Sequence, residues 1–499
     1  MASNNKLGRT RRGTPGWGAL ACLACFTGTA CATLPASSGQ HDPVPASPDG
    51  SSGIFVISET GGGYAEQTAP CVAPSREAAR RVVDGTEWRL CTTDPRPGAP
   101  LYQRTLDATW RNPALTGVFI RLKWSDIQTS PTTYDDSILL REVDRAIANG
   151  KLYSLAIKSG ADGDATPAWL FEPSPAGAGL APVMLDWHES SDECDAPPRA
   201  YGDPTDDRYR ELYLDMLSHV ALVLRQDSAR WAALAMMKLG GANAMSAENR
   251  LPNGCKMGAG CVCNDQRWAE AGYTPAGLYR FYEEQMARIA QDFPGKTMGY
   301  ALIQDGFPRV GATGCYMDGE RATICPPDVD PLLVGPFTQT ETNIAYAREH
   351  YGDGVAIAHL GIGPKPDFSD PSLYAPNTGC PLPLAPDGSS VYGANGVGSG
   401  CPNKWATDVG AAGGLIYFQT SHAPKVETAA QLDATLQNLW VNSSAAMLEI
   451  YEGMAWQVAD GVLDPALPPE EQRTLAAWNQ RLHERAVEHR VAERSQSAR

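Results

Sequence analysis

From residue 116 onward one theme recurs: a short apolar run, a loop, then a segment with apolar residues at helical spacing. The runs are "TGVFIRLKW" (116–124), "LYSLAIKSG" (152–160), "WAALAMMKLGG" (231–241), "KTMGYALIQDGFP" (296–308), "VAIAHLGIG" (355–363), "GGLIYFQTS" (413–421) and "AAMLEIYEG" (445–453). Their β-branched and aromatic content predicts buried strands. Between them, 135–151, 208–226, 275–294, 340–352 and 428–443 predict amphipathic helices. A helix after each strand forces parallel pairing, because each crossover must cover the sheet. No glycine-rich dinucleotide fingerprint follows the first run, and "GIFVIS" (53–58) supplies an eighth strand. The pattern therefore predicts an α/β fold, a (β/α)8 TIM barrel, over an open doubly wound sheet. The barrel is expected over 54–465, with a C-terminal helix and tail at 466–499 and no second domain.

The segment before the barrel reads as an export signal. "NNKLGRTRRGTPG" is basic without carboxylates, and "WGALACLACFTGTACA" is apolar, rich in small residues and too short for a convincing membrane span. Gly28, Thr29 and Ala30 before Cys31 resemble a bacterial lipoprotein cleavage site, with Cys22 and Cys25 as rival positions. Arg11 and Arg12 also suggest a twin-arginine signal. Residues 1–31 are thus the expected signal, and the Pro/Ser/Gly-rich stretch 32–53 a flexible tether. The expected location is extracytoplasmic, the periplasm or surface of a bacterium, either freely secreted or attached to a membrane only through a lipid on Cys31.

The remaining ten cysteines lie in loop-like, Gly- and Pro-rich text, which suits disulfide staples in an oxidising compartment. Cys71–Cys91, Cys315–Cys325 and Cys380–Cys401 are the expected local pairs. The cluster "CKMGAGCVC" invites a metal reading, but it has no nearby histidine and no familiar zinc spacing. With 57 acidic against 41 basic residues, the net charge of −16 disfavours nucleic acid and anionic membrane surfaces as partners.

In such barrels the reacting groups lie at the C-terminal ends of the strands. Those positions yield Trp124, Asp126, Lys158, Asp164, Trp169, Glu248, Asp305, His359, Gln419, His422, Glu449 and Tyr451. Acids and aromatics dominate, while the eight histidines form no HxH or HExxH pair, so no metal or other cofactor is expected. Two carboxylates with ring side chains suit glycoside hydrolysis: one acid protonates the leaving oxygen, and the second attacks the anomeric carbon or activates water. The expected partner is then an oligo- or polysaccharide.

The block 117–171, "GVFIRLKWSDIQTSPTTYDDSILLREVDRAIANGKLYSLAIKSGADGDATPAWLF", resembles the second and third barrel units of clan A glycoside hydrolases, notably the beta-galactosidase-like branch. The shared features are Arg–x–x–Trp on a strand, Tyr–Asp before a helix, Gly–Lys at its end and Pro–x–Trp after the next strand. The resemblance continues more faintly to "MLEIYE" and implies an acid/base residue after the fourth strand, where Glu248 falls. Its predecessor is Ala247, where the clan usually has Asn. The clan's nucleophile ends the seventh strand. With "GIFVIS" as strand one, the seventh strand carries Gln419 and no carboxylate, and Glu449 falls on the eighth. A count one lower makes Glu449 the seventh-strand acid but moves Glu248 to the third.

The catalytic expectation is therefore Glu248 with Glu449, by a retaining mechanism, and Asp305 in reserve or as a substrate contact. Arg121, Lys158, Gln419 and Tyr451 are expected substrate contacts, and Arg121 or Lys158 could instead satisfy buried carboxylates. Trp124 and Trp169 are expected as sugar platforms or as core. The competing function is a non-catalytic, glycan-binding barrel.

Overall fold

The computed structural model describes residues 52–58, 79–83, 86–90, 110, 112–160, 165–186, 198–243, 249–255, 261–302, 306–318, 322–328, 339–364, 409–410, 413–420, 426, 428–451, 454 and 461–497. All lie within one compact unit, Pro43–Arg499. Eight parallel strands close a barrel: β1 (Gly53–Ser58), β2 (Gly117–Lys123), β3 (Leu152–Lys158), β4 (Leu234–Lys238), β5 (Thr297–Leu302), β6 (Val355–Ile362), β7 (Leu415–Thr420) and β8 (Met447–Tyr451). Closure runs through β1, whose Phe55 is in register with Glu449 of β8 and Gly117 of β2. "GIFVIS" is the first strand, so the count placing Glu449 on β8 holds.

Side chains alternate across each strand. Ile54, Val56, Val118, Ile120, Leu155, Ile157, Phe418, Leu448 and Ile450 join the large core beneath the helices. Their neighbours Phe55, Ile57, Phe119, Ala156, Met236, Ala301, Ala356, Ala358, Tyr417 and Met447 fill the lumen. Gly117 has no Cβ because one would stand 2.3 Å from the Phe55 ring.

Several helices begin where a side chain satisfies an open backbone donor. In α1 (Ser137–Ala148) the chain exits through Gly150, at φ 66°. Asp206 caps α2 (Asp207–Arg225), accepting from Tyr209 N at 2.9 Å. Thr274 caps α4 (Pro275–Asp292), whose first residue is a proline, and Thr428 with Gln431 forms a capping box on α6 (Ala429–Asn442). α5 (Gln339–Tyr351) follows β5, and α7 (Leu475–Ser497) packs on β1 at the base.

The strands are shorter than the seven runs from residue 116 onward, and at β4 a helix takes the start of the run. Residues 231–233 belong to α3 (Ser228–Ala233), because Asp227 accepts from Ala229 N at 2.7 Å and Arg230 N at 3.1 Å, nucleating a helix before β4. Cys315–Cys325 is present as expected, and Cys255–Cys263 is a second disulfide. Cys255 and Cys263 are thus bonded to each other. Cys71–Cys91 and Cys380–Cys401 lie outside the described residues, as do the signal and Cys31. Among the described residues no helix is long and apolar enough to cross a membrane, and no His/Cys/Asp/Glu group could hold a metal ion.

Candidate active site

The inward alternation continues past the apolar layers to the strand ends, where it aims polar groups into the lumen. Arg121 and Lys123 share the face of Phe119, Lys158 that of Ala156, Lys238 that of Met236, and Gln419 that of Tyr417. Glu449 follows Met447 on the same face, and Tyr451 packs against the upper cluster of Ile57, Phe119 and Ala156. A polar mouth therefore sits on an apolar barrel floor.

Its centre is an ion pair between Lys238 Nζ and Glu449 Oε1, with both side chains essentially inaccessible. β4 and β8 are separated by three strands in either direction around the ring, so the pair spans the lumen. The ammonium lies 3.3 Å from the Phe119 ring centroid and 4.8 Å from that of Tyr417. Side chains of three other strands, β2, β7 and β8, thus converge on the β4 cation. β5 makes room for it: a Cβ on Gly299 would stand 2.9 Å from Lys238 Cγ and 2.5 Å from Met236 Sδ. Desolvating both charges is costly, and the pairing offsets that cost without guaranteeing a net gain in stability. Beside it, Gln419 Nε2 donates to Tyr451 Oη at 3.1 Å, and the Arg121 guanidinium carbon is 5.9 Å from the Phe119 centroid.

The segment after β4 is tied to the end of β5 and to the loop that follows it. Asn249 donates through its backbone N to Ala301 O at 3.1 Å and through Nδ2 to the same oxygen at 3.0 Å. Leu251 N donates to Gly306 O at 2.6 Å. Buried Asp265 accepts from Gly254 N at 3.0 Å and Arg309 N at 3.1 Å, bridging both loops. Burial outweighs these hydrogen bonds and pushes its carboxyl up to about 6. Glu248 immediately precedes Asn249, but Glu248 itself and Asp305 lie outside the described residues. So do Asp164 and His422; His359 is on β6.

The two tryptophans are not sugar platforms. Trp124 is fully buried, donates to Gln128 Oε1 at 2.8 Å, and packs edge-on against Trp169, Tyr209 and Tyr213. Trp169 is 5% exposed and donates to Gln128 O at 2.8 Å. Both belong to the core between barrel and helices: Trp124 opens the short helix Trp124–Ile127, and Trp169 lies in the 3-10 turn Ala168–Leu170. Arg121, Lys158, Gln419, Glu449 and Tyr451 are the expected residues that the fold does gather.

Lys238, Phe119 and Tyr417 escape the sequence reading. Lys238 does so because 231–241 reads as one long strand whose end falls at its glycines. The available signal was the strand endings themselves: "RLK", "AIK" and "MMK" close β2, β3 and β4.

No protein-family model matches this chain, and no curated relative does by sequence. Solved structures similar to it include an exo-beta-1,4-mannosidase from an Opitutaceae bacterium, strain TAV5, at 15% identity and TM-score 0.35, covering 70% of this chain and 48% of that one. The chain thus spans about half the length of the mannosidase. The catalytic domain of a beta-amylase from Paenibacillus polymyxa is similar at 11% identity and TM-score 0.40, covering 76% of this chain and 93% of that one. Endo-glycoceramidase II from Rhodococcus sp. gives 11% identity and TM-score 0.37, covering 86% and 78%. The barrel itself rests on the strand ladder described above.

Proposed function

We propose that this chain is an exported glycoside hydrolase, freely secreted or held at the surface by a lipid on Cys31, that cleaves an oligo- or polysaccharide with two carboxylates. The observation carrying this reading is a carboxylate, Glu449, that meets Lys238 at the C-terminal end of β4, beside hydrogen-bonding and aromatic side chains. That is where a barrel enzyme does its chemistry. Glu248, one residue before the loop anchor Asn249, is the acid/base, and Glu449 is the nucleophile of a retaining mechanism. Gln419 and Tyr451 hold substrate hydroxyls.

A second reading has its own support. Glu449 is buried against Lys238, and β7 ends without a carboxylate. A barrel that binds glycans without cleaving them would look like this.

The test is hydrolysis of aryl glycosides and of plant and bacterial polysaccharides by the full chain, with Glu248→Gln and Glu449→Gln beside it. Loss of about 100-fold or more in kcat/KM in both variants is the expected outcome. Sugar binding without turnover in the unaltered protein selects the binding barrel instead.

A further inference from the structure

We infer that the mouth receives an acidic sugar, with the anionic group, a uronate carboxylate or a sulfate ester, held against the ends of β2, β3 and β4; this rests on the glycan reading above. Those three strands are neighbours in the barrel, and each ends on a lysine: Lys123, Lys158 and Lys238. Lys123 and Lys158 are register partners. Arg121 stands two residues below Lys123 on the same face, and its guanidinium and the Lys238 ammonium both lie near the Phe119 ring. Arg121 and Lys158 are only 7% and 9% exposed, and Lys238 2%.

The described lumen-facing positions at the strand ends thus hold four cations and one carboxylate, Glu449. The chain as a whole carries −16, so this arc opposes the overall sign. Each cation also makes contacts within the chain, so sign and density distinguish the arc, not any vacant donor. Like charges crowded into a cleft of low dielectric repel one another, and the same cleft concentrates the field that attracts an anion. A neutral sugar offers only hydroxyls, which amides and phenols bind well. Such neutral groups occupy the opposite arc, where Gln419 on β7 meets Tyr451 on β8. The two arcs suit a ring whose hydroxyls face β7 and β8 and whose acid faces β2 to β4. Guanidinium and ammonium groups bind carboxylate and sulfate through charge-assisted hydrogen bonds.

The experiment compares the full chain on α- and β-linked aryl glycosides of glucose, galactose and mannose with the matching uronides and 6-sulfates. Calorimetric titration with glucuronate, galacturonate, glucose 6-sulfate and glucose runs alongside. An acidic preference of about ten-fold or more, in turnover or in affinity, is expected, weakening in about 0.5 M salt. The ratio of acidic to neutral should collapse in Lys158→Gln and in Arg121→Gln; Lys123→Gln, at the more exposed rim, guards against a folding defect. The uronide and sulfate arms identify which anion is taken. Acidic sugars bound but not cleaved uphold this inference and defeat hydrolysis. Neutral glycosides preferred or cleaved equally, or a preference surviving all three variants, overturn it and leave hydrolysis standing. Binding of neither class overturns it as well.

Discussion

The two ends of the barrel bury charge in opposite ways. At the base, cations donate to backbone carbonyls. Lys151 Nζ donates to Asn112 O at 2.6 Å and Leu115 O at 2.7 Å. Arg485, on α7, reaches Ser443 O, Ala445 O and Trp440 O while stacking 3.6 Å from the Trp440 ring centroid. Burial pushes Lys151 down to about 8 and Arg485 down to about 10. At the mouth, charge meets charge across the lumen, from strands that share no hydrogen bond. A carbonyl acceptor is supplied by the fold and asks only for a donor nearby. A lysine and a glutamate on opposite walls stabilise the fold only as a pair, since either alone would be a buried, uncompensated charge.

That contrast breaks most sharply at the ion pair. Lys238→Met takes the ammonium from a buried carboxylate, and the expected cost is about 3–5 kcal/mol. Lys238→Met with Glu449→Leu should recover most of it, because apolar replacement of both partners removes the desolvation cost as well. Urea unfolding of the two single variants and the double variant gives the coupling directly. Additive losses would mean that the pair is not a unit, and the distinction between the ends would fall.

Asp265 sharpens the comparison, being a mouth-side acid tied to backbone donors as groups at the base are. Its folded carboxyl holds a proton to about pH 6, whereas an unfolded aspartate releases it near 3.8. Between these values the native state binds more protons, so stability falls as pH rises through the window and is level above it. The contribution is about 2–3 kcal/mol. Asp265→Asn keeps an acceptor for Gly254 N and Arg309 N and should remove that slope. Urea midpoints at about pH 4 and pH 7 for both proteins measure it. An unchanged difference between the two pH values would show that Asp265 does not titrate in this way.

The same contrast explains what the sequence could show. Strand and helix periodicity carried the barrel, including "GIFVIS" as its first strand, because apolar alternation is a local property. Strand ends were legible wherever a strand's limit was: Arg121, Lys158, Gln419 and Glu449 all reach the mouth. Lys238 was not, since the helix nucleated by Asp227 shifts the boundaries of β4 and its own glycines draw the eye past it. For Trp124 and Trp169 the sequence left platform and core open, and the structure places both in the core. Whether a ring at a strand end turns inward depends on the next few backbone angles, set here by a four-residue helix at Trp124 and a 3-10 turn at Trp169. Pairing across the lumen is likewise invisible in a linear text, because 211 residues separate Lys238 from Glu449.

The base offers the smallest effect and the control for the rest. Asn479 Oδ1 accepts from Ile54 N at 2.7 Å and from Thr116 Oγ1 at 2.9 Å, and His483 joins Ser52 and Thr116 beside it, each at 2.8 Å. α7 thereby fixes the N-terminal end of β1, at the face opposite the mouth. Asn479→Ala leaves the Ile54 N–H without its acceptor at a partly buried position, for an expected loss of about 1–2 kcal/mol. Asn479→Asp should retain part of it, since an acceptor oxygen remains. Neither substitution touches the mouth, so sugar affinity measured below the unfolding transition should stay within about two-fold of the unaltered protein, far inside the changes expected at Lys158. If Asn479→Ala altered the preference between acidic and neutral sugars, the two ends would be energetically coupled through β1, whose Phe55 is in register with Glu449. The base could then no longer be treated as scaffold alone.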